Sequence, residues 1–183
     1  MVLLIIGLVI FFAIHFVPST PLKTGIVGRI GTDKYKIVFS LASFLGLALI
    51  IYGFSLSTFV PLWEPLPWGR AAALMIMPVG LILLVAANMP NNLRRLVRHP
   101  MLLGITLWSG SHLAANGDLA STLIFASFAG FSIIDFVLVT NQGRYTPHRA
   151  VNFGWDLAVV AIGLVFYGVL FKFHGVFTGM PLI

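Results

Sequence analysis

Five histidines and no cysteine define the chemistry open to this chain of 183 residues. Without a thiol there can be no disulfide, thiolate nucleophile, iron–sulfur cluster or covalent haem attachment through C-x-x-C-H. Any metal must be held by His, Met, Tyr or carboxylate. Four of the histidines lie in or at the ends of apolar segments. His112 lies deep in Leu107-Trp108-Ser109-Gly110-Ser111-His112. It shares a helical face with Ser109 and Asn116, and Trp108 stands beside them. His15 closes the first apolar run, with Phe11 one turn before it. His99 opens the fourth run directly after an arginine cluster, and His174 closes the last on the stripe Gly163, Tyr167, Leu170, His174. His148 lies in a basic loop and reads as solvated.

Polar side chains at membrane depth are costly enough that they normally turn inward, toward a partner or a function. Each has a plainer reading. Ser109 alone reads as helix–helix hydrogen bonding, and a histidine at a span end reads as an interfacial anchor. For His112, deep and flanked by Ser, Trp and Asn, a ligand or catalytic role is expected. Taken together, the four histidines point to a non-covalently held haem, since bis-imidazole ligation between helices needs only two neutral rings at matched depth. Depth along the sequence gives an outer pair, His112 with His174, and an inner pair, His15 with His99. His99 and His112 point to nearly opposite sides of one helix and are not expected to share an iron. Asp135, on a face with Phe128 and Ser132, is expected to pair with a loop arginine rather than to carry protons. Asp156 is expected to cap the sixth span.

The elements that position these residues follow from composition. The chain is 59% hydrophobic and 9% charged, with a mean hydropathy of +1.03. A soluble domain carries about a quarter of its residues charged, so the bilayer is the expected solvent. A span needs roughly 20 apolar residues, which leaves room for about six spans and short loops. The expected spans run from Val2 to Val17, Ile37 to Ser57, Arg70 to Asn88 (with a kink at Pro78), Met101 to Ala115, Leu119 to Val139 and Trp155 to Phe173. Asn116-Gly117-Asp118 marks a tight turn, and the tryptophans of Pro61-Leu62-Trp63-Glu64-Pro65-Leu66-Pro67-Trp68 suit the headgroup layer.

Nine of the eleven Lys and Arg fall in three loops. Lys23, Arg29, Lys34 and Lys36 are in the first, Arg94, Arg95 and Arg98 in the third, and Arg144 and Arg149 in the fifth. The positive-inside rule puts these loops in the cytoplasm and both termini on the periplasmic side. The basic balance reads as topology, not as nucleic-acid binding. Met1 runs straight into apolar sequence without a basic n-region, so no cleavable signal is expected. The expectation is an all-α integral membrane protein: one six-transmembrane-helix bundle over residues 1–183, spanning the inner (cytoplasmic) membrane of a bacterium.

The stretch Arg98-His99-Pro100-Met101-Leu102-Leu103-Gly104, then Leu107-Trp108 and Ser111-His112-Leu113-Ala114-Ala115-Asn116-Gly117-Asp118-Leu119-Ala120-Ser121, resembles the NnrU family. The likeness runs from His15 to Trp155-Asp156-Leu157 and Gly179-Met180-Pro181-Leu182, covering essentially the whole chain. The resemblance implies a bacterial inner-membrane protein of the denitrification setting, linked to nitrite and nitric oxide reduction. That family is in turn similar to zeta-carotene isomerase, a haem b membrane enzyme of plants and cyanobacteria, whose ligand histidines match His15 and His112. This pairing differs from both depth-matched pairs, so three pairings stand open. Arg98-His99-Pro100 is also similar to the R-H-P-x-Y-x-G motif of membrane methyltransferases, but Leu102 replaces the tyrosine and that activity is not expected.

Three functional readings follow. The first is a haem-b protein of NnrU type in nitrogen-oxide metabolism, with a redox or membrane partner protein. The second is a haem-dependent cis–trans isomerase whose lipid-soluble polyene enters between spans lined by Phe125, Phe128 and Phe131. The third is a haem-free assembly or transport subunit. The candidate cofactor contacts are His112, His15, His99, His174, Trp108, Ser109 and Asn116, with His112 and His15 the metal ligands that the resemblance implies.

Overall fold

A computed structural model describes residues 1–143, 149–180 and 182, with Phe177 described in its backbone alone. Arg144, His148 and Pro181 lie outside the described residues. The named elements are all helical: α1 (Val2–Phe16), a 3-10 turn (Val17–Ser19), α2 (Leu22–Ile30), α3 (Thr32–Ser55), α4 (Gly69–Ala86), α5 (Leu93–Leu96), α6 (Pro100–Ala115), α7 (Leu119–Asn141) and α8 (Phe153–Thr178). Among the described residues five segments are long and apolar enough to cross a membrane: Val2–Ser19, Thr32–Ser55, Gly69–Ala86, Leu119–Asn141 and Phe153–Val176. The remaining expected span is present as α6, but with 16 residues. At 1.5 Å per residue it is about 24 Å long, short of the roughly 30 Å hydrocarbon core.

Two helices went unforeseen because they carry no apolar run: α2 in the first loop and the single turn α5. The break between α2 and α3 falls at Gly31, whose φ of +83° favours glycine. α3 starts before the expected Ile37, at Thr32. Asp33 lies in its first turn, where a negative charge meets the helix dipole, and forms an exposed 3.8 Å pair with Lys36.

The chain divides into two compact units. The first comprises residues 1–63 and 118–127. Here α1 and α3 pack antiparallel through glycines: Leu4 lies against Gly53, Gly7 against Ile50, and Phe11 against Gly46. Helices in lipid gain nothing by hiding apolar surface from one another, so close backbone approach through small residues supplies the contact. Leu4, Leu8 and Ile50 are buried at this seam, while Leu41 and Phe44 of α3 are 67% and 76% exposed, as a lipid-facing surface requires. Asp118 caps α7, its Oδ1 accepting from Ser121 N at 3.0 Å.

The second unit comprises residues 64–117 and 128–183. α4 is its centre. Gly80 meets Gly104 of α6 and Gly69 meets Ala114, while Ile82 meets Gly163 of α8 and Leu74 meets Tyr167, so α6 and α8 both run antiparallel to α4. Pro78 lies inside α4 and has no N–H to give the carbonyl one turn back, that of Leu74. Tyr167 supplies the missing donor, its hydroxyl reaching Leu74 O at 3.0 Å. A hydroxyl pair, Thr106 and Ser132 at 2.9 Å, links α6 to α7.

Asp156 does not cap α8 as expected. Asn152 does, accepting from Gly154 N at 2.8 Å. Asp156 instead accepts from the backbone N and the Nδ2 of Asn92, at 2.7 and 2.6 Å. Asn92 also pairs with the backbone of Val151 in both directions. The loop after α4 is thereby latched to the start of α8.

Candidate functional site

His15, His112 and His174 lie near the C-terminal ends of their helices. In the first unit His15 Nδ1 lies 2.7 Å from Phe11 O. Its ring stacks on Phe11, centroids 4.0 Å apart, and tilts against Phe39 of α3 at 5.1 Å. Tyr35, one turn before Phe39, is buried, and its hydroxyl has no hydrogen-bond partner among the described residues.

In the second unit His112 Nδ1 lies 2.8 Å from Trp108 O. A backbone carbonyl only accepts, so in both histidines Nδ1 carries the hydrogen and Nε2 holds the lone pair. This is the tautomer of a metal-ligating imidazole, whose other N–H is tied to an acceptor that fixes the ring. Trp108 tilts against His112 with centroids 5.6 Å apart, and Phe128 of α7 packs edge-on against Trp108 at 5.2 Å. A wall of flat aromatic surface therefore adjoins His112. Phe131 is buried.

Ser109 and Asn116 turn back onto α6. Ser109 Oγ donates to Ile105 O at 2.7 Å, and Asn116 Nδ2 donates to His112 O at 2.8 Å, closing the helix end.

His174 is held differently. Its Nδ1 lies 2.7 Å from Met180 O, beyond the end of α8, and 3.1 Å from Thr178 Oγ1. Depth can be counted from the glycine contacts. Ala114 stands level with Gly69, and His112 falls two residues short of it, about 3 Å of rise. Gly163 stands level with Ile82. From there α8 climbs eleven residues to His174 and α4 runs thirteen back to Gly69, again a difference of about 3 Å. By this count the two histidines lie toward one end of this unit, each about 3 Å short of Gly69.

His99 lies at the opposite end of α6. Its ring packs edge-on against Phe136 at 5.4 Å, and its Nε2 is buried without a hydrogen-bond partner among the described residues. Burial lowers its pKa below the ordinary histidine value, the Arg98 guanidinium acts in the same direction, and Asp135 opposes both. Asp135 of α7 thus acts on the His99 imidazole. Among the described residues no group of three or more His, Cys, Asp or Glu is assembled that could hold a bare metal ion. Single imidazoles with Nδ1 set against a backbone carbonyl, beside the flat surface of Trp108, are donors of the kind that a metal already ringed by a macrocycle takes.

The sequence did not identify Thr178, the Met180 carbonyl, Tyr35 or Phe39 as neighbours of the histidines. The four-residue spacings Phe11–His15 and Trp108–His112 were visible and fix the carbonyl that each ring meets.

An all-helical membrane protein with histidines anchored at its helix ends is the class that these observations define. The sequence matches the NnrU protein family over residues 3–182, nearly its whole length. The chain belongs to the NnrU family. Searches of curated proteins and of solved structures each returned no match.

Proposed function

We propose that this NnrU-family chain is a haem-b protein of the bacterial inner membrane that serves nitrogen-oxide metabolism, in which His112 and His174 would hold the haem iron. The observation that carries this is the pair of imidazoles at one depth in the second unit, each with Nδ1–H tied to a carbonyl. Bis-imidazole ligation needs that tautomer and that match of depth. A bound haem would supply one-electron redox chemistry. The chain's own part is to orient two neutral rings, exclude water with Trp108 and Phe128, and keep the site within lipid. In this reading α6 is a sixth span despite its length, the three basic loops face the cytoplasm, and both termini lie outside.

The test is the optical spectrum of protein purified from haem-replete cells. A Soret band that sharpens on reduction is expected, lost in His112→Ala and altered in His174→Ala. A colourless wild type overturns the reading and leaves an assembly or transport role. A band that responds to His15→Ala but not to His174→Ala returns the second ligand to the residue that the resemblance names.

A further inference from the structure

His15 and His112 bond back to the carbonyl four residues earlier in their own helices. His174 breaks that pattern and reaches forward to Met180 O. The chain makes this possible at Gly179, whose φ of +73° ends α8 in a left-handed turn, with its N–H on Gly175 O at 2.9 Å. The turn is closed by one hydroxyl. Thr178 Oγ1 donates to His174 O at 2.8 Å, accepts from Met180 N at 3.1 Å, and lies 3.1 Å from His174 Nδ1. From α4, Arg70 Nη2 donates to Leu182 O at 2.7 Å and holds the tail in place. A guanidinium at the start of one helix and a hydroxyl at the end of another thus converge on the segment that fixes a single imidazole.

We propose that Thr178, Gly179 and Met180 form a positioning strap for His174, with Thr178 and Arg70 as positioning residues that hold Nδ1–H on the Met180 carbonyl and present Nε2 as a ligand. This rests on the reading of His174 as an axial ligand. Met180 O only accepts, so the strap selects the Nδ1–H tautomer, and an imidazole whose N–H is given to a carbonyl is both oriented and more basic. Loss of such a partner typically costs 10–100-fold in affinity for the bound metal.

The experiment uses the full-length protein and four variants: a chain ended after Gly179, Thr178→Val, Thr178→Ser as the rescue that keeps the hydroxyl, and His174→Ala as the ligand control. Two readouts are taken. In haem-free protein, 15N shifts of the His174 imidazole report its tautomer. In protein titrated with haem b, the dissociation constant and the low-spin EPR signal report the ligand. Wild type and Thr178→Ser are expected to show a fixed Nδ1–H ring and equal affinity. The shortened chain and Thr178→Val are expected to show tautomer exchange and roughly 10–100-fold weaker binding with a broadened EPR signal.

If those two variants match wild type in both readouts while His174→Ala loses a ligand, the strap is overturned and the ligand assignment stands. If His174→Ala itself keeps the wild-type EPR signal, the strap has no ligand to position and is overturned too. A wild type that takes up no haem refutes the functional reading. The 15N arm still judges the strap in that case, and a His174 ring sampling both tautomers in wild type would overturn it.

Discussion

Two tyrosines carry one substitution in opposite directions. Tyr167 donates to Leu74 O, the carbonyl that Pro78 leaves without a helical partner. Tyr35 is only 8% exposed, and its hydroxyl meets no acceptor among the described residues. Removing one member of a buried hydrogen bond leaves the other desolvated at a cost of about 1–3 kcal/mol. Tyr167→Phe strands a carbonyl in an apolar setting, where water cannot replace the lost donor, and is expected to destabilise by about 2 kcal/mol. Tyr35→Phe deletes a hydroxyl already stripped of water without compensation, and is expected to stabilise by about 1 kcal/mol. The change in apolar volume is the same in both, so packing does not set the sign. Equilibrium unfolding in detergent, followed by helical circular dichroism, measures both. Destabilisation of similar size in the two variants would refute the reasoning.

Other substitutions test the remaining contacts. A Cβ on Gly104 would lie 2.9 Å from Gly80 O and 3.2 Å from the Leu84 side chain, whereas one on Gly110 meets nothing within 4 Å. Overpacking costs about 1–3 kcal/mol and alanine regains about 1 kcal/mol in a helix. Gly104→Ala should therefore lose about 1 kcal/mol and Gly110→Ala gain up to that amount, in the same unfolding assay. Asn92→Ala opens the latch to Asp156 and Val151 and should lower the thermal midpoint. Asp156→Asn, which keeps one acceptor oxygen, should lower it by less. The folded-state pKa of His99 lies below its ordinary value, so the unfolded chain binds the proton more readily. The stabilisation from a neutral His99 is complete above about pH 6.5 and is lost as pH falls through the folded pKa. His99→Gln should flatten that part of a stability-versus-pH curve. Asp135→Asn, which removes the charge holding the pKa up, should enlarge the loss.

The sequence made the long helices legible because lipid imposes a long apolar run bounded by breakers. Pro18, Pro100 and the Asn116-Gly117-Asp118 turn fall where helices end, turn or begin. α2 and α5 were illegible for the converse reason. They are short, lie outside the apolar runs, and have no periodic face that a hydropathy reading could find. The histidines were legible as residue types out of place in lipid, and four-residue spacing gives the acceptor for His15 and His112. The acceptor of His174 was hidden because it depends on a left-handed turn at Gly179. The Asn92–Asp156 latch was hidden because its partners are 64 residues apart. Asp156 looked like a cap because local sequence offers only local partners.

The proposed haem site depends on His112 as an iron ligand. Its most direct test is haem content per polypeptide by pyridine haemochrome, for wild type, His112→Ala and the fold control Gly110→Ala. A single haem b per chain in wild type and Gly110→Ala, with almost none in His112→Ala, is the expected result. Equal haem in all three, or none in any, would contradict it.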